Sequence, residues 1–344
     1  MTNASSIAMP IVNATMNMKA IIISQFGGPE SLVLKEIPIP QPDLGEVLVK
    51  IKAFGLNHAE IHMRKGEWAE WMPVSGTECV GIVASCPGGE FKEGTPVASL
   101  MGGLGRTING SYAEYTKARV ENVVCLGPSA AGLEWAQLAV IPESYATAWT
   151  CLFRNLEVNK GQSLLIRGAT SSFGQAALNL AVEKGVKVVA TTRNEERFAS
   201  LKALGADRVE LEGPNLSQRV SEKVDGILDL IGNSTILDSL KMVRRGGRVC
   251  LAGFLGGLAP ISDFNPLLQM ASGVHFSFFG SFSFGTPGFP LSDVPLKDIA
   301  TMVADKKFKA EPARVFQFGE EEIRNAHRVM EANEANGKIV MTID

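Results

Sequence analysis

The stretch NHAEIHMRKG, residues 57–66, holds two of the chain's four histidines, His58 and His62, with Glu60 between them. On a helix, a spacing of four puts both imidazoles on one face. An imidazole titrates at about 6.5 when unperturbed, so such a face suits proton transfer or metal binding. Metal binding is the poorer fit. A zincin helix reads H-E-x-x-H, whereas the acid here falls in the middle of the five. A zinc deaminase adds P-C-x-x-C, a pattern found nowhere in the 344 residues. No metal site is expected, which leaves the pair as hydrogen-bonding or proton-donating groups.

A second stretch, SLLIRGATSSFGQAALNLA, reads as strand, tight turn and helix. Gly168 stands where the turn begins and Gly174 where helix and strand pack closely, two of the three positions of a dinucleotide fingerprint. The middle position holds Ser171, which is small and whose hydroxyl could itself bond a phosphate. Thr170, Ser172 and Phe173 complete the turn, and the first amides of the helix form an anion site. The next strand runs into TTRNEER. An NAD site has an acid there for the ribose 2′-hydroxyl, while arginine accommodates a 2′-phosphate. Thr192, Arg193 and, one helical turn on, Arg197 pair a hydroxyl with guanidinium groups. The expected cofactor is NADPH.

These residues need a scaffold, and the chain divides into two kinds. Its length favours two domains. Up to about residue 130, short β-branched runs (KAIIIS, LVLKEI, EVLVKIKAFG, GIVASC, TPVASL) are separated by Pro and Gly. AAGLEWAQLAVIPESYATAWTCLF is helical in composition and breaks at Pro142. Strands SLLIR, VKVVATT, DGILDLI and GRVCLAG then alternate with helical FGQAALNLAVEKG, EERFASLKALG and STILDSLKMV. Continuous apolar strands divided by helices imply a parallel sheet covered on both faces. VHFSFFGSF reads as a last strand at the sheet edge. The tail, to GKIVMTID, reads as two helices and strands that return to the first domain.

Composition narrows the partners. The formal net charge is −3 and no long basic run occurs, so nucleic acid and anionic membrane are poor candidates. No apolar run reaches membrane-spanning length. Five cysteines, widely scattered and none in C-x-x-C, suggest reduced thiols in a cytoplasmic protein. Residues 1–17 have no charged start and no unbroken apolar core, and read as a disordered leader.

VLVKIKAFGLNHAEIHMRKG followed by VSGTECVGIV resembles the medium-chain dehydrogenase/reductase superfamily. The likeness runs from Met18 to Asp344, with GSYAEY, ESYATAW, the Gly turn, GGRVCLAG and NGKIVMTID in the family's order. Zinc members carry Cys where Asn57 stands and G-H-E where this chain has Gly76-Thr77-Glu78. The pattern of Asn57, Glu60, Arg64 and Gly66 is similar to that of the zinc-free quinone oxidoreductase branch. The resemblance implies a Rossmann-type dinucleotide-binding domain over 145–283 and a mostly β, GroES-like catalytic domain over 18–144 and 284–344.

The resemblance also implies the chemistry. Members of that branch deliver hydride from NADPH to an electron-poor carbon of a quinone or enone. Asn57 becomes the candidate donor to the acceptor's oxygen, or a helix cap, or both. Thr147 matches the position beside the nicotinamide. His62 stands where the branch often has a cleft Tyr, facing the substrate. Gly253 and Phe254 follow the last core strand, where ligands of open α/β sheets bind, and Lys338 is expected to reach the cofactor. DFNPLLQMASGV and FSFGTPGFPLSDVP read as pocket and edge segments, with Phe282, Phe284 and Phe289 available to line an apolar cleft. Tyr145 fits pocket wall or core equally well. Two alternatives stay open: a cofactor-binding relative without turnover, and an enoyl-thioester reductase, for which no basic rim is visible. The apolar edge strand invites a homodimer across a two-fold axis.

Overall fold

The computed structural model describes residues 16–344. Most of the expected leader lies outside this range, and Asn17, counted with it, already opens the first strand. Strands β1 (Asn17–Ile23) and β2 (Leu32–Pro38) pair with each other. Beyond them come β3 (Glu46–Leu56), β4 (Glu78–Ser85), β5 (Pro96–Leu100), β6 (Tyr115–Arg119) and β7 (Val123–Cys125). Helix α1 (His58–Lys65) follows β3, and its register ends at Gly66, whose φ of 71° supplies the left-handed turn after it.

Pro142 does divide a helical stretch. Helix α2 (Trp135–Leu138) precedes it, and α3 (Pro142–Thr150) starts on it, in the first turn, where a missing N–H costs no intrahelical hydrogen bond. Then follow β8 (Ser163–Arg167), α4 (Ser172–Glu183), β9 (Lys187–Thr192), α5 (Phe198–Ala203), β10 (Arg208–Leu211), β11 (Val224–Asp229), α6 (Ile236–Ser239), β12 (Val243–Leu251), α7 (Pro266–Gln269) and β13 (His275–Phe278). The last elements are α8 (Leu296–Ala304), β14 (Arg314–Gln317), α9 (Glu320–Glu331) and β15 (Ile339–Thr342).

Six strands form one parallel sheet in the order β10-β9-β8-β11-β12-β13. This is the doubly wound order of dinucleotide folds, with its crevice where the order reverses between β8 and β11. Leu164 and Ile166 belong to one buried apolar cluster and Leu165 to another. The period-2 alternation therefore feeds a core on each face, as the unbroken apolar runs implied.

The helix expected over 234–243 shrinks to α6, a single turn. The Asp229 carboxylate accepts the amides of Ile231 and Gly232 and the hydroxyls of Thr235 and Ser239. That holds residues 230–235 as a capped loop, and β12 begins at Val243, so little chain is left for helix.

The second sheet runs β14-β15-β3-β4-β5-β7, with β6 also on β3. Strand β15 pairs antiparallel with the end of β3, Ile339 opposite Leu56 and Thr342 opposite Ala53. The tail thus returns to the first sheet. Among the described residues no helix is long and apolar enough to cross a membrane.

Candidate functional site

A cleft of about 830 Å³ opens where the carboxyl ends of the parallel strands face α1 and the 333–337 loop. Gly168, Thr170, Ser171, Ser172 and Phe173 line one part of it. Gly168 takes φ +79°, which turns the chain from β8 into α4. A side chain at Gly174 would sit 2.6 Å from Gly168 O, so the close strand–helix approach needs this glycine. Ser171 caps α4: its Oγ accepts from Gly174 N at 3.0 Å and donates to Gly168 O at 2.9 Å. With both functions used, the hydroxyl is not spare for a phosphate, contrary to the sequence reading. The helix amides remain as the anion site.

Thr192, Arg193 and Arg197 line the adjoining wall, and neither arginine forms an ion pair with a described residue. Glu212, which lines the cleft and meets Thr191, is spoken for. It pairs with Arg167 and accepts from Thr191 Oγ1 at 2.6 Å. Gly253 and Phe254 also line the cleft. A Cβ at Gly253 would meet Leu230 O at 2.5 Å, a close strand crossing.

The opposite end of the cleft, away from α4 and Arg193, has a different lining. Asn57, His58, His62, Trp68, Glu143 and Thr147 meet there, with Phe278, Phe279 and Phe282. Asn57 occupies the N-cap position of α1, but its side chain makes no capping bond. Glu60 instead reaches back to Asn57 N at 2.6 Å. The Asn57 amide donates to Glu78 at 2.9 Å and to Thr77 at 3.3 Å, and its oxygen accepts from Lys338 at 2.7 Å.

Lys338 is no cofactor contact. Its side chain is fully buried and pairs with the equally buried Glu78, beneath Asn57. Gly55, one residue before the end of β3, makes the space: a Cβ there would collide with Lys338 Cε. The surrounding carboxylates hold the Lys338 ammonium above its ordinary range against the opposing effect of burial. Burial pushes the Glu60 carboxyl up to about 7, although Thr77 donates both its amide, at 3.1 Å, and its hydroxyl, at 2.8 Å. Glu143 is likewise pushed up, chiefly by burial.

Both histidines reach the cleft. His62 Nδ1 contacts Glu67 Oε2 at 2.5 Å, and its ring stacks on Trp68 with centroids 5.8 Å apart. His58 is held below its ordinary range by burial first, then by the charges of His62 and Lys338. Of the three phenylalanines named from sequence, only Phe282 lines the cleft. Phe284 is buried core, and Phe289 packs against that core, because the chain turns back between Thr286 and Phe289. The 263–274 segment lies away from the cleft, with Leu267 and Leu268 exposed on α7. Tyr145 is core: its hydroxyl accepts from Asn179 at 2.8 Å and its ring stacks on Phe308.

Glu143, Glu67, Trp68 and the Arg167–Glu212 pair were missed. Glu67 and Trp68 carry no motif; Glu143 opens the stretch ESYATAW and stands four residues before Thr147, a spacing that puts both on one helix face. Among the described residues no group of His, Cys, Asp or Glu is placed to hold a metal ion.

Residues 43–128 match the family model described as an alcohol dehydrogenase GroES-like domain, and 173–290 the one described as a zinc-binding dehydrogenase. The quinone oxidoreductase of Mus musculus is 31% identical over 268 residues, 74% of this chain and 77% of the relative. That of Homo sapiens is 30% identical over 266 residues, with the same coverage. A quinone oxidoreductase structure from Pseudomonas syringae aligns with a TM-score of 0.82 and 25% identity, over 94% of this chain and 99% of that one. A mycobacterial protein complexed with NADPH aligns with a TM-score of 0.81 and 23% identity, with the same coverage.

Proposed function

The chain belongs to the medium-chain dehydrogenase/reductase superfamily, among the relatives of its quinone oxidoreductases, and from that premise we propose a zinc-independent, NADPH-dependent reductase of quinones and α,β-unsaturated carbonyls. The cofactor choice rests on one observation: two unpaired arginines, Arg193 and Arg197, stand in the wall while its acid, Glu212, is already tied to Arg167. A 2′-phosphate has partners there, and the carboxylate of Glu212 is not free for a bare ribose hydroxyl. Gly168, Thr170, Ser172, Phe173, Gly253 and Phe254 would hold the rest of the dinucleotide.

Bound NADPH would supply a hydride from its nicotinamide. The residues of this chain do the remainder. Phe278, Phe282 and Trp68 give a planar acceptor an apolar bed, which holds it in reacting geometry. Asn57 presents an amide whose weaker bond, to Thr77, yields to the acceptor's oxygen. Lys338 and Glu78 fix the carboxamide from below. His62 supplies a proton or hydrogen bond to the same oxygen. An enone or quinone is electrophilic without a Lewis acid, so donors aimed at the developing oxyanion suffice. The test is NADPH oxidation with a panel of enones and quinones after dialysis against a chelator. Undiminished turnover supports the reading. Activity that returns only with zinc overturns its metal-free part, and no turnover with any acceptor favours a cofactor-binding protein.

Arg193→Ala is expected to weaken NADPH binding about ten- to a hundredfold, since a hydrogen bond to a charged group contributes roughly 1.5–3 kcal/mol. NADH binding should hold. Equal losses for both cofactors in titration calorimetry would make Arg193 structural.

We also place the protein in a reducing compartment, the cytoplasm, since all five cysteines are free thiols. It pairs into a homodimer through β13. That strand ends the parallel sheet, and Leu267, 88% exposed, and Leu268, 79% exposed, stand on α7, the helix that precedes it in the chain. Light scattering at micromolar concentration should give twice the chain mass of 36.8 kDa. A monomer would end this idea.

A further inference from the structure

Three carboxyl groups, the buried Glu60 and Glu78 and the half-buried Glu143, crowd around a single ammonium, that of Lys338. Each carboxyl contributes to the field at Lys338. Glu78 is paired with that ammonium directly. Glu60 is enclosed by Asn57 and Thr77, away from the cleft wall. Only Glu143 reaches the cleft itself. Its backbone is anchored, Glu143 N donating to Glu78 Oε2 at 2.8 Å, and its Oε1 accepts from Thr147 Oγ1 at 3.3 Å. The carboxyl is therefore held at the end of the cleft where the reacting ring lies if the phosphates lie at α4.

The groups facing it come from every neighbouring element. Glu78 reaches it from β4, Lys338 from the start of β15, Ser281 from the turn after β13, and Thr147 from its own helix. His58 and His62 share the cleft from α1. One ammonium cannot balance three carboxylates, so a neutral cleft favours Glu143 as the acid. A cation arriving in the cleft reverses that preference.

We propose that Glu143 is the charge partner of the nicotinamide: a neutral acid beside the reduced ring and a carboxylate beside the oxidised, cationic one. The proposal rests on the reading that the cleft binds a nicotinamide dinucleotide, and it adds what the protein does when the ring's charge changes. Hydride departure breaks a C–H bond, sends both electrons with the hydrogen to the acceptor, and leaves a positive ring. The proton that Glu143 releases goes to solvent, and the carboxylate it leaves behind stabilises that charge.

Linkage makes this visible without turnover. The oxidised cofactor lowers the titration of Glu143 relative to the free protein, and the reduced cofactor does not. Between those two titrations, binding of NADP+ releases a proton and tightens as pH rises. Outside that window it does neither. The 2′-phosphate titrates alike in both cofactors, so it cancels in the ratio of their dissociation constants.

The experiment measures Kd for NADP+ and NADPH from pH 6 to 9, with proton release followed by an indicator dye. For the wild type, the ratio Kd(NADP+)/Kd(NADPH) should fall by up to about tenfold per pH unit within the window. In Glu143→Gln the ratio should be flat, with NADP+ at least about tenfold weaker at the alkaline end and NADPH within twofold. The same pH dependence in both proteins, or an equal loss for both cofactors, overturns the proposal. Should the Gln variant misfold, wild-type proton release decides alone: equal release with both cofactors also overturns it. A wild-type chain that binds neither nucleotide refutes the cofactor reading itself, and this proposal with it.

Discussion

Replacing His62 with Phe is expected to lower turnover with an enone at least tenfold and to leave the Kd for NADPH within twofold. The contact with Glu67 occupies Nδ1, so Nε2 is the nitrogen left for the cleft. Stacking on Trp68 and the register of α1 hold the ring in place. A positioned general acid contributes about 10²–10⁴ in rate, which sets the size of the loss. Phe keeps the stacking area, so the change reports on the nitrogen rather than on packing. A quinone should suffer less, because its reduced anion is better stabilised and needs the proton less urgently. Near wild-type turnover of both acceptors would assign the proton to water.

Lys338→Met has the largest expected effect on stability, a loss of about 3–5 kcal/mol, the usual cost of stripping one partner from a buried ion pair. Glu78 would be left as a charge in a fully buried position, with Glu60 close by. Met fills the space with similar length and no charge. The companion Glu78→Gln in the same chain should restore most of the loss, since it removes the stranded charge. Urea midpoints of the single and double variants test this. A loss below about 1 kcal/mol in the single variant, or no recovery in the double, would mean that the pair contributes little.

Much of the scaffold was legible because its signals are local. Leu164, Leu165 and Ile166 announce a strand buried on both faces, and Gly168 and Gly174 have roles that only their missing side chains explain. That Arg193 and Arg197 line the cleft follows from their offset from the end of β9. The misreadings arise where a side chain's partner is remote in sequence. Lys338 reads as a cofactor ligand in the sequence because its partner, Glu78, is 260 residues away. Ser171 carried the right chemistry, but a helix cap competes for the same hydroxyl. Glu143 opens the stretch ESYATAW, but its setting comes from Glu78 and Lys338, which only the folded chain brings to it. The helix expected over 234–243 stays short because Asp229 holds the turn before it, through Ile231, Gly232 and Thr235, and β12 already begins at Val243.

The closing strand of the catalytic sheet bears on how the protein is made. Lys338 is 281 residues downstream of Asn57. At about 5–20 residues per second, synthesis leaves an interval on the order of 15–60 s between the two. During that time β6 can cover the first half of β3, Glu46 to Lys50, but the second half, Ala53 to Leu56, has no mate on that side. A nascent chain therefore carries a bare strand edge and an acid without its counter-ion while the ribosome is still translating the dinucleotide fold. Such an edge is a template for pairing with other chains. Yield in a recombinant host should accordingly respond to holding chaperones and to the pace of translation more than to the stability of the finished protein.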